Sequence, residues 1–194
     1  MPRASQLFEA GCELFVERGY HDVGVADIAE RVGVSSGTFY NYYPNKRGLL
    51  DAIMRTQMDA YAKVIGRVDR SVSSRGDFIA AFEEMIRRIL ARVAENPQLS
   101  SFLALIAPGV DREAYAFAMQ AFSAFSGMFA EFFEYGRSRG WVRDDISITV
   151  AGRAAASCVI MAVFPLLLGD REDLDVDEVS PVVATYLLGG MRSA

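Results

Sequence analysis

Between Ser35 and Arg47 the chain reads SSGTFYNYYPNKR, a run of hydroxyl, amide and cationic groups with one gap in bulk at Gly37. Ser36, Gly37 and Thr38 are small enough to bring a backbone close to the edges of stacked bases. Asn41 offers the paired donor and acceptor that adenine presents in reverse, and the hydroxyls of Tyr40 and Tyr42 reach phosphate oxygens. Lys46 and Arg47 follow at the start of a new helix, where the helix dipole disfavours positive charge, so an anion such as a phosphate is expected beside them. The chemistry these residues suit is noncovalent recognition.

Catalytic chemistry has little to work with. The chain holds a single histidine, His21, beside this segment, and two cysteines, Cys12 and Cys158, without metal-ligand spacing. Neither a Ser/His/Asp or Cys/His arrangement nor a phosphate loop or metalloprotease motif is present. Adjacent acids such as Glu83-Glu84 and Asp144-Asp145 read as solvated charge. An enzyme is therefore not expected, and no cofactor or metal is implied. The cysteines read as buried free thiols, which with the lack of a cleavable signal fits a cytoplasmic protein.

Two short helices must position the recognition surface. Val25, Ile28, Ala29 and Val32 share one face of the first. Gly33 stops it in the left-handed conformation that glycine tolerates, with Val34 anchoring the turn. Ser35 caps the second helix, which is expected from Ser36 to about Tyr43, where Pro44 ends it. A helix of two turns needs packing to persist, and Phe39 and Tyr43 supply the inward pair. The remaining positions face outward, as a recognition helix in a major groove requires.

The segment ELFVERGYHDVGVADIAERVGVSSGTFYNYYPNKRGLL resembles the N-terminal domain of the TetR family of transcriptional regulators, without gaps, over residues 5–54. It carries the family's LF-x-E-x-GY, DIA-x-x-x-GVS and GT-F-Y-x-Y-Y-P-x-K pattern. The resemblance implies that Ser36, Gly37, Thr38 and Asn41 face bases while Tyr40, Tyr42 and Lys46 contact the backbone; Gly24, Val25 and Ser35 complete the expected DNA-binding set. Two positions depart from the family: Val23-Gly24 stand where Thr or Ser usually caps the first helix, and Ser36 stands where Lys or Arg is frequent. Both remove polar or basic reach toward DNA. Charge agrees, since residues 1–50 hold Arg3, Arg18, Arg31, Lys46 and Arg47 against Glu9, Glu13, Glu17, Asp22, Asp27 and Glu30, and the whole chain is net −5. Binding must use a local patch, with weak non-specific affinity and marked salt sensitivity.

The 194 residues, 52% apolar, show helical spacing almost throughout, so the fold is expected to be all-α. Domains are expected at 1–46, with the helix-turn-helix at about 24–43, and at 47–194, a helical ligand-binding and dimerisation domain. The third helix is expected from Asn45 through about Val68, then a loop at Arg70–Gly76, and helices at about 77–95, 98–106, 112–138, 146–168 and 176–191. The apolar run Ala154–Leu168 is too short to span a bilayer. Aromatic density peaks in the 112–138 helix, where Phe122, Phe125, Phe129 and Phe132 form a stripe; such a core packs unevenly and leaves adaptable space. The family resemblance implies a small-molecule pocket there, lined by Phe78, Phe82, Met85, Phe102, Phe122, Phe125 and Phe129, for a hydrophobic or aromatic ligand. Gln120, Ser126 and Glu131 are the nearby polar candidates, Glu131 reading rather as surface charge.

The last two helices are apolar nearly all round, which one chain does not easily cover. Ala155, Val159, Val163, Val183, Tyr186 and Leu187 are accordingly expected to form a four-helix interface in a homodimer, burial within the chain being the alternative. A two-fold dimer would set two recognition helices roughly 34–36 Å apart on a near-palindromic double-stranded site. The sequence thus points to a ligand-responsive DNA-binding repressor, or alternatively to a ligand-sequestering helical protein with weak or lost DNA binding.

Overall fold

The computed structural model describes residues 2–66, 72–169 and 174–191. Its regular elements are nine α-helices with a π-helical turn and a 3-10 turn, and no strand occurs among the described residues. The all-α expectation holds. The helices are α1 (Arg3–Arg18), α2 (Val25–Val32), α3 (Ser36–Tyr40), α4 (Lys46–Ile65), α5 (Arg75–Glu95), α6 (Pro97–Ser101), α7 (Arg112–Ser138), α8 (Ile148–Leu167) and α9 (Val176–Gly189).

Side-chain caps decide most starts. Ser35, Ser74 and Ser147 each accept from the backbone N–H three residues on, and Asp175 accepts from Asp177 and Glu178. The Ser74 cap places Arg75 and Gly76 inside α5, two residues ahead of the expected start at Asp77. The expected end at Val68 and the loop start at Arg70 lie outside the described residues. The helix expected at 98–106 begins at Pro97, where a missing N–H costs nothing, then widens into a π-helical turn at Phe102–Ile106 and tightens to 3-10 at Ala107–Gly109. Pro108 removes the donor that a continued α-helix would use.

The chain divides into two compact units, Met1–Ala60 with Gln98–Ala118, and Tyr61–Pro97 with Met119–Ala194. The division thus falls inside α4 instead of before it, and residues 98–118 join the first unit.

In the first unit Leu7, Leu14, Phe15, Ile28, Phe39, Leu49, Leu50 and Ile53 are fully buried. Phe102 belongs to this core, its ring stacked on Phe15 at 6.0 Å. Cys12 is half-buried here, and burial pushes its thiol up to about 12.

In the second unit α5, α7, α8 and α9 enclose a core of Phe78, Phe82, Ile86, Ile89, Phe129, Phe132, Phe133, Val159, Val163 and Val183. Gly152 lets α8 approach α7 closely, since a Cβ there would lie 2.5 Å from the Ser126 carbonyl. Against the expectation from Ala154–Leu168, α8 begins at Ile148 and at 20 residues is long and apolar enough to cross a bilayer. Its packing is that of a core helix instead, with Ala151, Gly152, Ala155, Ala156, Val159, Val163, Leu166 and Leu167 buried against neighbours and Arg153 on the exposed side.

Candidate DNA-binding interface and ligand-binding core

The turn between α2 and α3 is built as a helix stop followed by a helix start. Gly33 adopts φ 70°, ψ 38°, its N–H donating to the Glu30 carbonyl while Val34 donates to that of Ala29. Ser35 then turns into α3, its Oγ accepting from the Thr38 N–H at 3.2 Å and lying 3.1 Å from the Thr38 hydroxyl. α3 is shorter than expected, because a turn follows Tyr40 in place of helix to Tyr43. Its anchors are as the spacing requires: Phe39 is fully buried and touches Tyr43 ring to ring at 5.7 Å. The Tyr43 hydroxyl donates to the Ala4 carbonyl at 3.3 Å, tying the segment to the start of α1.

With Phe39 turned in, Ser35, Ser36, Gly37, Tyr40, Asn41 and Tyr42 are exposed and Thr38 is half-buried. Tyr40 and Tyr42 keep 56% and 46% of their surface in solvent, which leaves both hydroxyls free to meet a partner. Gly24 is exposed and Val25 half-buried at the start of α2. The Gly24 N–H donates to the Asp27 carboxylate at 2.6 Å, half of a capping box whose other half a glycine has no side chain to close.

The cations are disposed differently from the sequence expectation. Lys46 Nζ donates to the carbonyls of Tyr20 at 2.6 Å and Val23 at 2.7 Å and stands 4.2 Å from the Tyr20 ring centroid. Burial holds its pKa below the usual lysine value, against the pull of Asp22 and Asp27. Arg47 pairs with Asp51 and, at 2.6 Å, with Asp111, whose other oxygen accepts from the Ala114 N–H at the first turn of α7. Anionic company for the start of α4 is thus supplied by the chain itself. Arg31 is held by Glu17 at 2.8 Å and Glu13 at 3.1 Å, and these pairs fasten α2 to α1. The Arg47–Asp111 pair was not read from sequence; the i, i+4 spacing of Arg47 and Asp51 was the available signal for part of it.

In the second unit the expected pocket residues form a packed aromatic stack. Phe78 lies on Phe132 at 4.5 Å, Phe82 touches Phe132 at 5.1 Å, Phe133 at 5.4 Å and Phe129 at 6.0 Å, and Phe125 meets Phe129 edge-on at 5.2 Å. Met85 is buried beside them and Phe122 partly so. Phe102 does not join this set, because it fills the first unit's core. Gln120 and Glu131 are exposed, and the buried Ser126 donates to the Ser123 carbonyl of its own helix.

The expected interface residues also need correction. Ala155, Val159, Val163, Val183 and Leu187 are buried within the chain, covered by α5 and by each other's helices. Of that set Tyr186 alone faces outward, 75% exposed. The outward stripe of α8 is Val150, Ala154, Ser157 and Met161, and that of α9 includes Val182, Thr185 and Tyr186, beside an apolar surface hollow at Pro181.

Against known proteins, residues 7–53 match the family described as bacterial regulatory proteins, tetR family. Among curated relatives, the HTH-type transcriptional repressor KstR2 of Rhodococcus jostii (strain RHA1) is 24% identical over 192 residues, 98% of this chain and 92% of that one. Among solved structures, the fatty acid degradation regulator FadR from Bacillus halodurans superposes with a TM-score of 0.83 at 20% identity, over 100% of this chain and 98% of that one. The transcriptional regulator FadR from Bacillus subtilis, solved in complex with stearoyl-CoA, gives 0.76 at 18% identity over 97% and 99%. The family match is thus to residues 7–53, and over the rest of the chain the likeness is one of fold.

Proposed function

We propose that this protein is a dimeric, sequence-specific DNA-binding repressor whose hold on a near-palindromic operator is modulated by a small hydrophobic ligand. The observation that carries the reading is α3: Phe39 is wholly buried while Ser36, Gly37, Tyr40, Asn41 and Tyr42 stand in solvent behind a capped Gly turn. Base edges are read by Ser36, Gly37, Thr38 and Asn41, and phosphates by Tyr40 and Tyr42. Such a protein acts in the cytoplasm and performs no chemistry on its ligand; His21, the one imidazole in the chain, is exposed and has no catalytic partner in the motifs above.

The ligand enters the aromatic core of the second unit, bounded by Phe78, Phe82, Met85, Phe122, Phe125 and Phe129, and spreads rings that otherwise rest on one another. An acyl thioester of coenzyme A is the first compound class to try, given the stearoyl-CoA complex of a protein with this fold. Helices α4 and α7 carry residues of both units, so displacement at their core ends reaches the DNA-binding unit through the chain itself. Linkage makes the effect reciprocal: if the ligand weakens DNA binding, DNA weakens ligand binding by the same factor. Dimerisation uses the outward stripes of α8 and α9, whose inward faces are already filled.

The test is titration of a protein–operator complex with stearoyl-CoA, a short-chain acyl-CoA and free coenzyme A. Release by an acylated species and not by free coenzyme A supports the reading; indifference to all three, with the complex intact, removes acyl-CoA as the ligand class. A ligand-sequestering role without DNA gains support from the internally paired cations, and it predicts acyl-CoA binding with no duplex bound at any salt concentration.

A further inference from the structure

The family pattern puts Lys46 against a DNA phosphate, yet its ammonium is already surrounded by the chain. Two carbonyls stand at 2.6 and 2.7 Å, that of His21 lies at 3.5 Å, and the Tyr20 ring covers another side. An ammonium has three protons, and three carbonyls face it. These carbonyls belong to the loop between α1 and α2, which ends at Gly24, the residue that caps α2 without a side chain. Where a Thr or Ser would tie that loop to α2 from within, here the tie comes from α4.

The other cations of residues 1–50 are likewise engaged. Arg31 is held by Glu13 and Glu17, Arg47 by Asp51 and Asp111, Arg18 faces Asp27 at 3.8 Å, and Arg3 donates to Gln6 at 2.8 Å. Freeing Lys46 for a phosphate would strip the loop of its fastening and take the donor from the part-buried carbonyls of Tyr20 and Val23.

We infer that Lys46 is a positioning residue that locks the α1–α2 loop onto the first turn of α4, and that phosphate contacts fall to neutral donors, the Tyr40 and Tyr42 hydroxyls among them. The inference rests on the DNA-binding reading for its second half and on the free protein for its first. It reverses the sequence expectation of marked salt sensitivity, because a neutral donor releases few counterions.

Two variants test it, K46M, which removes the charge, and K46R, which keeps it but replaces a point donor by a planar fork that does not fit between the two short carbonyl contacts. In the free protein, amide hydrogen exchange at residues 20–24 should rise at least tenfold in both variants while α5 and α8 keep wild-type protection; wild-type exchange in that loop overturns the clamp without recourse to DNA. With a selected duplex, both variants should lose about tenfold in affinity and part of the preference over a scrambled duplex, yet show the wild-type slope of log affinity against log salt. A slope shallower by about 0.9 in K46M, with affinity kept in K46R, is the signature of a phosphate contact and overturns the proposal. If the wild type binds no duplex, the DNA-binding reading fails, and the exchange comparison still decides whether Lys46 clamps the loop.

Discussion

Thr38 and Tyr40 sit two residues apart and should fail in different ways. Thr38→Ala removes a group that closes on Ser35 and, in the proposed function, faces bases, so affinity for the selected operator should drop by about 1–3 kcal/mol with relaxed preference at one base pair. Tyr40→Phe removes one exposed hydroxyl, and binding to all sequences should weaken alike, by about 0.5–1.5 kcal/mol. Competition binding against a panel of single-base variants separates the two, and a uniform loss for Thr38→Ala would take that residue off the bases. Asp111 gives a prediction in pH. The Arg47 guanidinium and the Ala114 N–H hold its carboxyl below the usual carboxylate range. A depressed folded pKa contributes stability above the unfolded value and loses it as pH falls through the folded one. Wild type should therefore be more stable than Asp111→Asn at neutral pH, with the two acid-unfolding curves converging below the ordinary carboxylate range; a constant gap down to the lowest pH contradicts the pairing. At this scale α3 was legible in sequence, because its cap, its anchor and its small residues are all local. The partners of Lys46 and Arg47 were not, since backbone carbonyls leave no mark in a sequence and Asp111 lies 64 residues from Arg47.

The existence of the long helices was readable, but their starts were not fixed even where Ser74 and Ser147 cap them, and faces were less readable still where the choice lies in packing. The π-helical turn at Phe102–Ile106 has the same apolar spacing as an α-helix, and only the clash of α-bonding with Pro108 hints at it. α8 is the sharper case. A helix apolar on every side gives no signal of which face turns in: Ala155, Val159 and Val163, expected at an interface between chains, are covered by α5 and α9. In the folded chain Gly152 marks the inward face, where it meets α7. Its substitution by Val should push α8 off α7, with the nearest obstacle a backbone carbonyl that cannot swing away, and the melting temperature should fall by an amount matching about 1–3 kcal/mol. A Gly152→Val protein that melts with the wild type would show that the two helices are not in contact as described.

For the molecule as a whole, the proposed dimer would use the outward stripes of α8 and α9. Val182 and Tyr186 are 65% and 75% exposed, so Val182→Asp with Tyr186→Asp should leave the fold of one chain intact, as circular dichroism would show. The pair should nonetheless shift sedimentation from dimer to monomer and abolish operator binding at concentrations where the wild type saturates. Ala155→Asp should instead unfold the chain, because that position is fully buried. The all-α class and the two-part plan could be read from composition, periodicity and the N-terminal pattern. That residues 98–118 belong with the first unit could not, because membership in a core is settled by contacts such as Phe102 on Phe15 that no local pattern announces.

Whether α3 reads sequence in a two-fold arrangement is tested most directly by selection of bound duplexes from a random DNA library by the purified protein. Enrichment of a near-palindrome with half-sites one helical turn apart is expected, with the preference relaxed at one base pair in Thr38→Ala. Recovery of no enriched sequence, at low salt as well as moderate salt, would contradict it.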